Sequence, residues 1–242
     1  MIPLRDANPV RSTPVVTIGI VALNGLIFLR SMADPEGFAR DFGAVAYHYS
    51  GSDPAIFTDG VHTIPPVPDD GRKVFRALSH MWLHAGFMHF AGNMWFLWVF
   101  GDNVEDRLGR LRFAMLYFLS GFVALVAQIL ADPSFSMPMI GASGAVSGVL
   151  GAYLVMFPKA EVLTLIPLGY IFTTMVWPAF VFLLIWFGFQ IVQGALFDAG
   201  GGGVAWWAHA GGFVVGAALG RPLMRRDRDD FALERVRRVS GR

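Results

Sequence analysis

The chain contains no cysteine, which excludes disulfides, thiolate catalysis and thiolate metal sites together. It is also short of charge: Asp, Glu, Lys and Arg make up 15% of its 242 residues, against 55% hydrophobic. Soluble domains carry roughly a quarter charged residues, so the class expected here is a membrane protein. The charges that are present nearly cancel, leaving +1, and composition offers nothing to attract nucleic acid. A small-residue cleavage pattern is missing after the first apolar run, which is therefore expected to be retained as a span rather than removed as a signal.

The few charges are unevenly placed. They collect at the N-terminus, between Asp34 and Arg76, between Asp102 and Arg112, and after Arg221. The uncharged runs between them predict an all-α polytopic protein of six transmembrane helices, since a soluble core helix would show a polar face. The expected spans are 15–29, 81–100, 113–130, 141–157, a fifth beginning at Val162 or Val176 and ending at Phe197, and 204–223. Pro167 and Pro178 interrupt the approach to the fifth, and Pro167-Leu168-Gly169 fits either a loop or a broken helix. Residues 1–14 form a short N-terminal segment, 15–223 the membrane domain, and 224–242 an Arg-rich tail. The acid-rich stretch 31–73, with Pro65-Pro66-Val67-Pro68, predicts an irregular loop.

Arginine and lysine placement orients these spans. Arg5 and Arg11, Arg107, Arg110, Arg112, Lys159 and the tail arginines fall on one side, expected to be cytoplasmic with both termini. The first loop, Asp132 and Asp198 fall opposite. The fourth run rises only about 25 Å as a helix, against roughly 30 Å of hydrocarbon. With Lys159 at its cytoplasmic end, its other end should stop below the outer surface, in a depression opening outward.

That other end reads Gly141-Ala142-Ser143-Gly144-Ala145-Val146-Ser147-Gly148. Two readings fit. Small residues let membrane helices pack closely, and Ser143 is then one of them. Alternatively Ser143 is a nucleophile, the glycines clear space for a substrate backbone, and helix-terminal N–H groups stabilise an oxyanion. Ser147 lies one turn on and fits either a supporting or a packing role.

In the sixth run, Ala208-His209-Ala210-Gly211-Gly212 places an ionisable group where an unpaired one is costly. His209 can sit at headgroup level beside Trp206 and Trp207, which suit an interface belt. Gly212, Gly216 and Gly220 nevertheless recur every fourth residue, a smooth stripe matching Gly144, Gly148 and Gly151. Packing the two stripes together brings the imidazole towards Ser143, and histidine is the commonest base for a serine near neutral pH. With no carboxylate in either span, the arrangement is a Ser–His dyad, and the imidazole must be held by packing or by other hydrogen bonds.

The second run opens with His80-Met81-Trp82-Leu83-His84 and continues to His89 and Asn93, spaced i, i+4 on one helix face. The asparagine amide is an uncharged donor suited to an oxyanion. His80 and His84 share the spacing of zinc-binding helices, but no glutamate follows in an H-E-x-x-H arrangement and no third ligand is evident. No metal is expected, and the two histidines are read as structural, hydrogen-bonding the loop to the helix.

His89 with Asn93, Gly141-Ala142-Ser143-Gly144, and Ala208-His209 with Gly212 and Gly216 together resemble the rhomboid family of intramembrane serine proteases, of the bacterial six-span type. The resemblance covers residues 15–223. It implies Ser143 as nucleophile and His209 as general base and acid. It implies an oxyanion site from the Ser143 N–H, His89 and Asn93. Phe100-Gly101, Glu105 and Arg107 also match. Where members often carry Trp-Arg in the first loop, this chain has Phe75-Arg76, the arginine kept. Where some members stack an aromatic residue on the catalytic histidine, this chain has Ser147. In the family the fifth span is thought to move to admit substrate; Phe180, Phe182, Trp186, Phe187 and Phe189 suit such a gate or a lipid-facing surface.

The resulting expectation is a protease without metal, nucleotide or organic cofactor, in a bacterial plasma membrane, cleaving single-span membrane proteins near the outer face of the bilayer. The alternatives are a catalytically inactive rhomboid-like protein that binds transmembrane clients, and a histidine-lined metal or proton transporter.

Overall fold

A computed structural model describes residues 1–54, 57–58, 63–64, 67–168, 171–197 and 205–224. The chain begins with strand β1 (Ile2–Asp6), helices α1 (Val15–Ser31), α2 (Pro35–Phe42) and α3 (Tyr47–Ser50), and the short strands β2 (Phe57–Thr58) and β3 (Thr63–Ile64). Helix α4 (Lys73–Ser79) runs into a 3₁₀ turn, His80–Trp82, ahead of α5 (Phe87–Leu108) and α6 (Arg110–Ala131). Helix α7 (Ser143–Met156), strands β4 (Glu161–Leu168) and β5 (Ile171–Pro178), and helices α8 (Ala179–Phe197) and α9 (Trp206–Leu223) complete it. Pro65, Pro66, Gly169, Asp198 and residues 225–242 lie outside the described residues, and with them almost all of the expected tail. Among the described helices α6 is long and apolar enough to cross a bilayer by itself; α1, α7 and the first fifteen residues of α8 are shorter apolar helices.

Helix α7 lies at the centre. Every residue from Gly144 to Tyr153 is buried, as befits a helix apolar on all sides. Its neighbours approach closely because its glycines leave room. A Cβ on Gly212 or Gly216 would overlap the carbonyl of Gly144 or Gly148, and one on Gly151 would overlap the carbonyl of Phe213. On the other side Ser120 and Ala124 of α6 occupy the space that side chains at positions 148 and 144 would need. The two glycine stripes thus face each other, backbone against backbone.

The expectation of an all-α chain needs correction: the chain is mostly helical, but β1, β4 and β5 form a three-stranded antiparallel sheet. Strand β4 pairs with β5 from Glu161↔Pro178 to Leu168↔Ile171, and with β1 from Ile2↔Leu165 to Asp6↔Val162. The fifth helix therefore begins at neither Val162 nor Val176 but after Pro178. Pro167 and Leu168 are the last two residues of β4 and pair with Phe172 and Ile171, so neither a loop nor a broken helix describes them. The local cause is plain in the residues. Pro167 and Pro178 remove helical N–H donors, and Val162, Thr164, Ile166, Thr173, Thr174, Val176 and Trp177 favour extended backbone.

The described residues of the first loop include the helices α2 and α3. Asp34 caps α2 by accepting from the Gly37 N–H at 3.0 Å, with Pro35 at the first helical position. Arg76, 2% exposed, is the anchor. Its Nη2 donates to the Arg40 carbonyl and the Asp70 carboxylate, both at 3.0 Å, and its Nε to the Asp41 carbonyl at 3.2 Å. A guanidinium spreads donors in a plane and can tie three chain segments at once. The Asp70 carboxylate, bonded first to Arg72 and then facing Arg76, is held down to a pKa of about 2.

Glu105 has an equally definite place. Pro14 offers α1 no side-chain cap. The buried Glu105 carboxylate on α5 takes that role, accepting the N–H groups of Val16 (2.9 Å) and Thr17 (2.8 Å) and the Thr17 hydroxyl (2.9 Å). A carboxylate at a helix N-terminus satisfies orphan donors and complements the dipole.

Candidate active site

Gly141 begins the site. Its φ of +129° lies where side chains are disfavoured, and the His89 ring fills the space a Cβ would need. Its N–H donates to the His80 carbonyl at 2.9 Å, which ties the glycine segment to the 3₁₀ turn before α5. Two residues later Ser143 opens α7, so the first-turn N–H groups beside it lack acceptors within the helix.

The Ser143 hydroxyl lies 2.7 Å from Nε2 of His209. The other ring nitrogen, Nδ1, lies 2.8 Å from Oε1 of Gln190 on α8. An amide oxygen only accepts, so Nδ1 carries the proton and donates to Gln190. The Nε2 lone pair is then left to accept from Ser143. Trp206, one turn earlier on α9, meets the imidazole edge to face, ring centres 5.9 Å apart and planes at 88°. Ser147 does not touch the imidazole; its hydroxyl donates to the Ser143 carbonyl at 2.6 Å, a back-bond within the helix.

His89 and Asn93 line the same space from α5. The Ala85 N–H donates to His89 Nδ1 at 3.3 Å, which in a neutral ring leaves the proton on Nε2. A position 2.8 Å from that Nε2 lies 3.5 Å from Ser143 Oγ, both measured where a Gly141 Cβ would stand. Serine and imidazole therefore converge on one side of Gly141. The Asn93 amide uses one hydrogen on the His89 carbonyl at 3.0 Å, and the second remains available to the cavity. That cavity, about 510 Å³, is bounded by α5, the segment 138–140, α7, α8 and α9, and has Ser143, His209, His89, Asn93 and Gln190 in its wall.

His80 and His84 precede α5. Both are buried, but both ring nitrogens of His84 and Nε2 of His80 have no hydrogen-bond partner among the described residues. His84 packs edge to face against His89 (5.2 Å) and Phe90 (5.5 Å). His80 also supplies the backbone carbonyl that accepts from the Gly141 N–H. No group of three metal-ligating side chains occurs among the described residues.

Gln190 escaped the reading of the sequence, and a signal for it existed. Residues 162–197 contain no charge, and in their helical part Gln190 and Gln193 are the strong hydrogen-bonding side chains. An amide in so apolar a helix needs a partner. Of the aromatic gate candidates, Phe182 is buried whereas Phe180 and Phe189 are exposed. Trp186 lines the cavity, and Phe187 stacks on Phe213 of α9 at 4.4 Å.

The chain is similar to several curated proteins. The chain is 33% identical over 149 residues to "Rhomboid protease GluP" of Bacillus subtilis, covering 61% of this chain and 26% of that protein. It is 32% identical over 154 residues to "RHOMBOID-like protein 7" of Arabidopsis thaliana, covering 63% and 44%. To the mitochondrial "Rhomboid protein 1" of Saccharomyces cerevisiae it is 31% identical over 149 residues, covering 57% and 38%. The chain spans less than half the length of these curated relatives. A profile of the Rhomboid domain matches residues 71–226, more than half of the sequence, and the chain belongs to the rhomboid family.

Proposed function

We propose that this chain is an intramembrane serine protease in which Ser143 and His209 form the catalytic dyad. The observation that carries the reading is the 2.7 Å approach of His209 Nε2 to Ser143 Oγ beside a cavity. A relative named as a protease, from Bacillus subtilis, supports the reaction class. Ser143 Oγ attacks the carbonyl carbon of a peptide bond while its proton passes to His209 Nε2. The tetrahedral oxyanion is held by the Ser143 N–H, the Asn93 amide and His89 Nε2–H. Collapse breaks the C–N bond, His209 returns its proton to the leaving amine, and water drawn through the cavity hydrolyses the acyl-enzyme with His209 again as base. These steps require no metal or organic cofactor.

The substrates proposed are single-span membrane proteins, presented from the lipid bilayer and cut near its outer face. Helices α1 and α5 to α9 are read as six spans in a bacterial-type plasma membrane, both termini cytoplasmic, the cavity opening outward. Their apolar runs, the arginine placement and membership of the family support this arrangement. The domain reading follows from it: 15–223 as the membrane unit, 1–14 and 224–242 as its flanking segments.

The test is labelling of the detergent-purified protein with a fluorophosphonate beside Ser143→Ala and His209→Ala. Labelling is expected in the wild type and to fall by at least about 10³-fold in both variants, with thermal unfolding unchanged. Folded wild-type protein that takes no label, and cleaves no membrane substrate in liposomes, overturns the reading in favour of a client-binding protein.

A further inference from the structure

The dyad lacks two devices that hold an imidazole elsewhere: among the described residues no carboxylate hydrogen-bonds to His209, and no aromatic residue stands one turn after Ser143. A neutral histidine exchanges its proton between two nitrogens, and only the form with the proton on Nδ1 can take one from serine at Nε2. Something must select that form and fix the ring plane. Trp206 constrains the plane by its edge-to-face contact, but a ring edge cannot choose the nitrogen.

From the geometry we infer that Gln190 is the positioning residue of the active site: its Oε1, 2.8 Å from Nδ1, fixes the base-competent tautomer of His209. The inference rests on the proposed dyad. Gln190 is 9% exposed and lies in the cavity wall on α8, whereas the serine is on α7 and the histidine on α9. The contact is thus made across three helices and owes nothing to local chain geometry. It is seated by the Phe187–Phe213 stack, three residues before Gln190, which presses α8 onto α9. A neutral amide does this work in apolar surroundings without adding a buried charge to be compensated. It differs from a carboxylate in one respect: it orients the ring while stabilising the imidazolium far less than a full negative charge would.

That difference supplies the experiment. The groups facing His209 are Ser143 from α7, Gln190 from α8, Trp206 from α9 and, as the titratable neighbour, His89 from α5. Fluorophosphonate labelling rates are measured across pH for wild type, Gln190→Leu and Gln190→Glu, together with ¹⁵N-histidine spectra that report which nitrogen of His209 is protonated. Gln190→Leu is expected to label about 10- to 100-fold more slowly, the scale for losing the outer partner of a functional imidazole, with the Nδ1–H signature of His209 lost. Gln190→Glu restores the acceptor, recovers most of the rate and moves the acid limb of the profile to higher pH. A Gln190→Leu protein that labels at the wild-type rate, or wild-type spectra with the proton on Nε2, overturns the inference. So does a Gln190→Glu protein as slow as Gln190→Leu. If Gln190→Leu does not fold, the wild-type spectrum and the Gln190→Glu profile decide alone. Wild-type labelling that survives in Ser143→Ala overturns the dyad instead, a result distinct from dyad-dependent labelling indifferent to Gln190.

Discussion

The two ends of α7 both gather polar side chains, but they use them differently. At the Tyr153 end the chain closes on itself. The Tyr153 hydroxyl donates to the Asp6 carboxylate and accepts from Asn8 Nδ2 at 2.7 Å, and Asp6 also accepts from Asn103 Nδ2 at 2.9 Å. Trp95 donates its indole N–H to the Pro3 carbonyl at 2.5 Å, fastening β1 further. At the Ser143 end the corresponding donors point into a cavity, and the hydroxyl's partner is a base rather than a carboxylate. Ten residues of α7 separate Ser143 from Tyr153, about 15 Å at 1.5 Å each. Under the proposed function, stability and chemistry fall at opposite ends of one buried helix, so a reactive cluster need not weaken the bundle that carries it.

The harshest way to break this comparison is Gly216→Val. Its side chain would enter the Gly148 backbone, which cannot yield as a flexible side chain can, and α9 must part from α7. Loss of labelling is expected together with destabilisation of about 3 kcal/mol or more, read by thermal unfolding in detergent. A folded, normally labelled Gly216→Val protein would show that close packing of α7 on α9 does not hold the dyad together. Asn93→Ala is milder and confined to the open end. Removing one oxyanion donor typically costs about 10²–10³ in rate, and with the Ser143 N–H and His89 still present the loss in substrate cleavage should lie at or below the bottom of that range. Unfolding should be unmoved, because among the described residues the Asn93 side chain bonds to its own helix. An unchanged cleavage rate removes Asn93 from the oxyanion site.

What was legible in the sequence follows the same division. The helical parts of the fourth, fifth and sixth runs, the facing glycine stripes and the meeting of Ser143 with His209 could be read because small residues and ionisable groups in apolar runs have few physical outlets. The β4–β5 hairpin is hidden by its own apolarity: a charge-free stretch of strand and helix reads as one span, in which Pro167 lies within a strand and Pro178 marks the boundary between strand and helix. Gln190 was hidden because an amide carries no charge and its partner lies nineteen residues away. Glu105 was noticed by resemblance, yet its role at the start of α1 needs the packing of α1 on α5, which no local pattern encodes. The Asp6 network pairs residues nearly 150 positions apart, far beyond any periodicity.

The smallest effect is expected at the closed end and carries a pH signature. Burial raises the Asp6 pKa above its usual value of 3.8, while the hydrogen bond from Tyr153 opposes that rise. A carboxyl whose folded pKa is raised favours the fold most when protonated, so its contribution is greatest below pH 3.8 and declines as pH climbs through the folded value. Tyr153→Phe removes the strongest of the hydrogen bonds that stabilise the ionised form. The folded pKa then rises further, and the penalty is larger at pH 7, where Asp6 must ionise, than at pH 4. About 2 kcal/mol at neutral pH is the scale for losing a hydrogen bond to a charged group, narrowing on acidification. Fluorophosphonate labelling should be untouched, since Ser143 lies at the far end of α7. A Tyr153→Phe protein as stable as the wild type at both pH values would mean that packing of the ring, and not the hydroxyl's bond to Asp6, closes this end. One that loses labelling would mean that the two ends of α7 are coupled after all.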